Sequence, residues 1–323
     1  MLESTESQKR LSVGVLIATY NRADLIDEAI DSLLAQTRIP DEIIVVDDGS
    51  TDNTENIIKN YQNSSIKYIA QPNRGLPSAR NVGLRSATTD LIAFLDSDDT
   101  LPPESIARRA EYLEKNPSSN IVYGAAYYTD MQGKILGLFR PIPLPSGWIF
   151  HELACRTVFP MHAVMLRRHC AETIGYFDEN LYLQLDFDYW ARAAALYPFD
   201  AINEILAFYR LHNEMSVVAH RPELLQMGIG VQQRIMKMPM FETLTSQQKA
   251  HVYTYHGTQY LRLNKSHEAR KWYLKAVRVS PKTVRNYVLL AISFLGRPGI
   301  EGIGPLYRRL RNLYSGGNGV SQQ

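Results

Sequence analysis

Leu91-Ile92-Ala93-Phe94-Leu95 runs straight into Asp96-Ser97-Asp98-Asp99, and this junction decides the fold. An unbroken run of branched and aromatic residues reads as a strand buried on both faces, as in a parallel sheet. Open sheets of that kind take their ligands just outside the carboxyl ends of the strands. A second junction of the same form lies upstream, where Ile43-Ile44-Val45-Val46 stops at Asp47-Asp48-Gly49-Ser50. Two acidic strand ends predict one acidic, ligand-facing crevice. Clustered carboxylates repel one another, so such a crevice needs water or a cation, and hard oxygen ligands suit Mg²⁺ or Mn²⁺.

Outward from these junctions, strand-like and helix-like periods alternate over about the first 130 residues, the pattern of βαβ units. Val13 to Ala18 reads as the first strand, and Leu25, Ile26, Ala29, Ile30, Leu33 and Leu34 then recur at helical spacing. Further helices are expected over Asn53 to Tyr61 and Gly75 to Ala87, a short strand over Ile66 to Ala70, and a helix opened by Pro102 and Pro103. From about Asn120 to Ile149 the reading is strand and loop, punctuated by Gly133, Gly137, Pro141, Pro143, Pro145 and Gly147. Ala163 to Arg167 and Ala201 to Tyr209 read as strands and Asp186 to Leu196 as a helix, with helix throughout beyond about His220. Gly257, Tyr260, Ala269, Tyr273, Ala276 and Pro281 sit at positions resembling one tetratricopeptide repeat, though a generic helical hairpin fits as well.

The formal charge of +2 over 323 residues hides an asymmetry. Residues 251–323 carry twelve Lys and Arg against Glu268 and Glu301, and the first 250 residues carry 23 basic and 31 acidic side chains. The chain reads as an acidic body with a basic tail region. Met1 to Arg10 lacks the apolar core of a secretory signal, no apolar stretch approaches the roughly 20 residues that cross a bilayer, and Cys155 and Cys170 lack paired metal-ligand spacing. A cytoplasmic setting is expected. Arg297, Arg308, Arg309 and Arg311 alternate with Ile300, Leu306, Leu310 and Leu313, a face suited either to the inner side of an anionic membrane or to solvent. The acidic body and the lack of a basic, aromatic reading surface argue against nucleic-acid binding.

Four strings in register carry a resemblance. Ala18-Thr19-Tyr20-Asn21-Arg22, Asp47-Asp48-Gly49-Ser50-Thr51-Asp52, Asn73-Arg74-Gly75-Leu76-Pro77-Ser78-Ala79-Arg80-Asn81 and Asp96-Ser97-Asp98-Asp99 follow the order and spacing of family 2 glycosyltransferases with the GT-A fold. The similarity runs on through Gly175-Tyr176-Phe177-Asp178-Glu179, Leu185-Asp186-Phe187-Asp188-Tyr189-Trp190 and Tyr209-Arg210-Leu211-His212, covering about residues 11 to 218. It implies a Rossmann-like, mostly parallel sheet flanked by helices over 11–218, after a short N-terminus over 1–10, with an α-helical region over 219–323.

The resemblance also implies roles. Ala18, Tyr20, Asp48, Arg80 and Asp96 would bind a nucleotide-sugar donor, with Tyr20 packed on the base and Arg80 reaching toward base or phosphate. Asp48 would accept from a pyrimidine N3–H, which favours UDP- or dTDP-sugars over cytidine donors. Asp98 is the expected primary metal ligand, with Asp96 and His212 completing the set for Mg²⁺ or Mn²⁺. Asp96 and Asp98 are expected to point the same way along an extended segment. Asp186 would act as general base on the acceptor hydroxyl, giving inversion at the anomeric carbon. Two departures stand out. Leu185 replaces the usual glutamate before the base, and Pro160-Met161-His162 stands where a glycine often lines the donor sugar, so His162 is an acceptor-site candidate and the sugar stays open.

The expectation is an inverting, metal-dependent transferase acting on a glycolipid or surface-polysaccharide acceptor, glycan or lipid-linked. The processive-synthase string Gln-x-x-Arg-Trp is absent, which favours single transfers. Two other classes are weighed against it. A sugar nucleotidyltransferase would want a glycine-rich phosphate loop with a following lysine near the N-terminus, and Ala18-Thr19-Tyr20-Asn21-Arg22 is not one. A catalytically idle nucleotide-sugar-binding scaffold acting through the helical region has no need to keep Asp98 and Asp186 together.

Overall fold

The computed structural model describes residues 10–212 and 221–295, and the basic face over Arg297 to Leu313 lies outside them. The described residues form two compact units: 10–149 with 157–212, and 150–156 with 221–295.

The first unit is built on one mixed sheet. Strands β1 (Val13–Thr19), β2 (Glu42–Asp47), β3 (Ile66–Ala70) and β4 (Leu91–Asp96) are joined by helices α1 (Ile26–Leu34), α2 (Thr54–Asn60) and α3 (Leu76–Ser86). They lie parallel in the order β3-β2-β1-β4. The unbroken apolar runs of β1, β2 and β4 are buried along their length, as expected for strands covered on both faces. Glycine is required at Gly14 by packing, since a Cβ would sit 2.5 Å from the Thr89 hydroxyl, but at Gly49 by backbone as well: its φ is 78°, and a Cβ there would sit 2.8 Å from the Asn73 nitrogen.

Helix α4 (Ser105–Lys115) follows Pro102 and Pro103 and leads to β5 (Ile121–Thr129), β6 (Ile135–Leu138), β7 (Val164–Arg167) and β8 (Phe199–Arg210). Strand β7 runs antiparallel between β4 and β5, so β5 again runs parallel to β4. One edge of β5 is shared by β7 at its start and β6 at its end, and the other edge is taken by parallel β8. Beneath this half, Phe94 meets Phe177, Tyr189 and Trp190 edge-on, and Phe159 stacks on Phe199. Tyr189 and Trp190 come from helix α7 (Leu185–Leu196), so the same helix that buries a large aromatic face carries Asp186 in its first turn.

The second unit is helical. The short helix α5 (Phe150–Leu153), which lies inside the 11–218 span that the resemblance gave to the sheet domain, clusters here, where Gln232 donates to the Ala154 carbonyl and Phe150 and Leu153 are buried. After α6 (Arg168–Ile174) and α7 in the first unit come α8 (Arg221–Ile235), α9 (Pro239–Glu242), α10 (Ser246–Arg262), α11 (Ser266–Val279) and α12 (Val284–Ile292). Thr245 and Gln248 form a reciprocal capping box that starts α10. Helices α10 and α11 form a hairpin whose core is Leu261, Ala269 and Tyr273, joined by Leu289 of α12. No helix among the described residues is long and apolar enough to cross a membrane.

Candidate functional site

Registry puts the acids together. Ala18 of β1 lies opposite Val46 of β2 and Asp96 of β4, so Asp47, Asp48 and Asp96 emerge at one end of the sheet. The loops there are fastened to one another. Asn21 sits in the left-handed region (φ 49°) and its side-chain oxygen accepts from Thr51 N–H, while Ala23 N–H donates to Asp52 and Arg22 N–H to the Thr54 hydroxyl. Tyr20 projects from this loop with nearly half its surface exposed.

Asp47 and Asp48 are both buried and divide the work. Asp47 accepts from Ser50 N–H and from the Tyr68 hydroxyl, whose pKa is pushed up by its own burial and by this carboxylate. Asp48 accepts from Gln71 Nε2 at 2.6 Å, from Arg74 N–H at 2.9 Å and from Gly75 N–H at 2.8 Å, which sets the loop leading into α3. Oδ2 carries only the Gly75 bond and keeps a lone pair for a further donor.

The expected reach of Arg80 toward base or phosphate is not what the structure shows. Arg80 is buried in α3, and its guanidinium spans two acids: one arm donates to Asp96 Oδ1 at 2.6 Å and the other to Asp186 Oδ1. The reason is charge. Asp96 and Asp186 face one space, and one guanidinium reaching both offsets one of their two charges; burial alone would lower the Arg80 pKa, but Asp186 and Asp96 outweigh it and raise it. Asn81, next in the helix, donates to the Phe177 carbonyl and Glu179 and accepts from Phe177 N–H, tying α3 to the segment that enters α7. Asp186 itself, about one-third exposed at 32 %, has its pKa raised by burial and by Asp96, against the opposing pull of Arg80. A carboxylate made more basic in this way is a better proton acceptor near neutrality.

Asp98 lies in a turn after β4, closed by Asp99 N–H donating to the Asp96 carbonyl, so the period-two alternation expected of an extended segment does not apply to it. Its Oδ2 stands 3.0 Å from His212 Nε2 and 3.9 Å from Arg22 Nε. The 3.0 Å contact is a hydrogen bond between the imidazole and the carboxylate, the two donor types that could together hold a divalent cation.

A second acid–imidazole pair lies deeper. Asp99 Oδ2 is 3.0 Å from His162 Nδ1, both side chains are buried, and Asp99 Oδ1 accepts from Arg210 N–H at the end of β8. The contact is an ion pair without hydrogen-bond alignment, and His162 Nε2 is buried without a hydrogen-bond partner. Burial, with Asp98 and Asp96 adding, pushes Asp99 up to about 6 although His162 opposes it; burial would lower His162, but Asp99 raises it. Arg109, fully buried, holds the carbonyls of His162 and Val164. No local spacing links positions 99 and 162, so this pair is illegible in the sequence; only the third acid of the Asp96-Ser97-Asp98-Asp99 string hints at it.

Among the described residues, Asp96, Asp99 and His162 offer ligand atoms within 4.8 Å of one another and could hold a metal ion. Asp99, however, has both oxygens engaged below the surface. Asp96 and Asp98 are each about one-quarter exposed and His212 faces Asp98, but among the described residues Asp96 groups with Asp99 and His162 and not with Asp98 and His212, the set expected from the sequence. Carboxylate oxygens with one imidazole fit Mg²⁺ or Mn²⁺.

The family model described as "Glycosyl transferase family 2" matches residues 14–169. An uncharacterized glycosyltransferase of Methanocaldococcus jannaschii is 32% identical over 212 residues, 62% of this chain and 71% of the relative. An uncharacterized glycosyltransferase of Rickettsia felis is 32% identical over 208 residues, but the chain spans only 34% of its length. The chondroitin synthase of Escherichia coli is 27% identical over 215 residues, 66% of this chain and 31% of that one. Among solved structures, S. aureus TarS 1-349 in complex with UDP-GlcNAc superposes with a TM-score of 0.62 at 18% identity, covering 93% of this chain and 92% of that one. At that identity the likeness speaks for the fold.

Proposed function

Since the chain belongs to glycosyltransferase family 2, we propose that it moves a sugar, with inversion, from a UDP- or dTDP-sugar to a hydroxyl of a glycan or lipid-linked acceptor. The observation that carries this reading is the single guanidinium of Arg80 holding Asp96 and Asp186 in one space. It joins the acid turn that would receive a cation to the carboxylate that would take the acceptor proton.

In this reading Tyr20 packs on the base, and Asp48, through the open lone pair on Oδ2, accepts from its N3–H. Ala18 lines the floor between them at the end of β1. Asp96, Asp98 and His212 would hold Mg²⁺ or Mn²⁺, which when bound neutralises the diphosphate and eases its departure. Asp186 takes the acceptor proton as the oxygen attacks the anomeric carbon from the face opposite the diphosphate. Its raised pKa suits the task, and Arg80 keeps the carboxylate aimed while sharing its charge. A UDP-GlcNAc complex of the structurally similar TarS supports a uridine donor, and the naming of one relative as a chondroitin synthase supports a glycan acceptor. We place the reaction at the cytoplasmic side of a membrane, with glycolipid or surface polysaccharide as its product.

The test is donor turnover with Mn²⁺ across a panel of nucleotide sugars. Asp98→Ala and Asp186→Ala should each lower transfer by at least ~10²-fold, while Asp186→Ala retains UDP binding by calorimetry. Transfer persisting in Asp186→Ala would remove the assigned base.

A further inference from the structure

A carboxylate shut away from water has to spend both oxygens on the protein, so where they go is informative. Asp99 is buried, and each of its oxygens reaches a different segment of the chain. Oδ1 accepts from Arg210 N–H at 2.7 Å, at the end of β8. Oδ2 lies 3.0 Å from His162 Nδ1, in the segment that enters β7. Neither segment is near Asp99 in sequence, so this side chain ties the turn after β4 to two distant parts of the fold.

The tie is braced at every end. Asp99 N–H donates to the Asp96 carbonyl at 3.1 Å and closes the acid turn. Thr100 pairs with Phe208 in an isolated antiparallel bridge, in which Phe208 N–H donates to the Thr100 carbonyl at 3.0 Å. From the far side, Leu211 N–H donates to the Thr129 carbonyl of β5 at 2.8 Å, and the buried Arg210 side chain pairs with Glu28 of α1. His162 is fixed as well: Arg109 donates to its carbonyl at 3.0 Å, and the Tyr209 ring stacks on the imidazole at 5.8 Å.

Asp98 is the residue before Asp99, and His212 stands two residues beyond the Arg210 amide. These two side chains meet at 3.0 Å, Nε2 to Oδ2, where Asp98 is about one-quarter exposed. Their meeting therefore depends on a buried bond one residue away in one partner and two residues away in the other. Groups that hold a cation are aimed by outer hydrogen bonds, and losing one such bond typically costs about 10- to 100-fold in affinity for the metal.

We propose that Asp99 is a positioning residue: through its bond to the Arg210 amide it holds the end of β8 against the acid turn, so that His212 meets Asp98 where a nucleoside diphosphate with its divalent cation is taken up. This rests on the transferase reading above and deepens it by naming the residue that assembles the cation-responsive end of the site. Asp99 itself touches neither diphosphate nor cation in this arrangement, which separates it from direct ligation by Asp96, Asp99 and His162.

The test measures UDP affinity of the full chain by calorimetry, with Mn²⁺ and in chelator. In His212→Ala and in Asp99→Ala the gain in affinity that Mn²⁺ brings should shrink by about tenfold, while affinity in chelator stays as it was. The double variant should lose no more than either single one, because both changes break one arrangement. Asp99→Asn keeps an acceptor for the Arg210 amide and should hold the gain to within about threefold of the unaltered protein. Urea midpoints check that each variant is folded; should Asp99→Ala not fold, Asp99→Ser, whose shorter side chain leaves room for a water, takes its place with the same expectation. Losses that add in the double variant, an equal fall with Mn²⁺ and in chelator, or an Asp99→Asn as impaired as Asp99→Ala, the result that direct ligation by the carboxylate requires, would each overturn the proposal. An unaltered protein that takes up no uridine or thymidine diphosphate would overturn the transferase reading, whereas uptake with additive losses overturns only the role of Asp99.

Discussion

Arg80 shows what a motif does and does not disclose. Its position in Asn73 to Asn81 marks it as a site candidate, and its partners in the structure are Asp96 and Asp186. Sequence spacing cannot reveal a pairing between positions 80 and 186, because that depends on how α3 and α7 approach the same strand end. The same holds for Asp99 and His162, whereas Asp98 and His212, both marked by the motifs, do face each other at 3.0 Å. Arg80→Met leaves two carboxylates facing each other around a hole. Stability should fall by about 3 kcal/mol, measured by urea denaturation in chelator, with part of the loss recovered on adding Mn²⁺. Arg80→Lys keeps the charge but reaches only one acid at a time, so its kcat should drop while UDP binding changes little, which steady-state kinetics and calorimetry separate.

Single helices and strands carry predictions of their own. On α10, His256 is fully buried; its Nδ1–H donates to Gln232 Oε1 at 2.6 Å, and Nε2 has no partner. Burial, with Lys275 adding, lowers its pKa from 6.5 to about 4. The unfolded chain therefore binds this proton more readily than the folded one. The stabilisation is whole above pH 6.5 and is lost as pH falls toward 4, about 3 kcal/mol in all. Urea titrations read by Trp272, whose ring lies 4.3 Å from His256, should show that slope, and His256→Gln should flatten it. On β5, a methyl added at Gly124 would stand 2.5 to 2.7 Å from the Leu206 side chain, Cβ included, where the β5–β8 register shifts. Gly124→Ala should cost about 1–3 kcal/mol by thermal or chemical denaturation. The strands themselves are legible in the sequence to within a residue or so, β1, β2 and β4 because a fully buried parallel strand has an unbroken apolar signature. Strand β6 is not, since its exposed apolar residues mimic neither a core strand nor a polar loop.

At the scale of the molecule, binding is linked to folding. At a hundredfold excess over Kd, UDP with Mn²⁺ should raise stability by about 2.7 kcal/mol, and Asp98→Ala should remove the metal-dependent part, as a shift in Tm shows. The alternation of periods makes the α/β class readable from about the first 130 residues, and four motifs in register make the ligand class readable. The allotment of Phe150 to Arg156 to the helical unit is not readable, because a four-residue helix has too short a period to show which core it joins. The arrangement of β4 between β1 and β7 has one more consequence. During synthesis the parallel half, through Asp96, can pair as soon as it emerges, but the far edge of Leu91-Ile92-Ala93 stays bare until Met165 to Arg167 have left the ribosome. For the interval in which roughly seventy residues are translated, several seconds at typical elongation rates, the nascent chain displays an oily, unpaired ribbon, and this is the stage at which a slowed or truncated message should yield aggregate rather than enzyme.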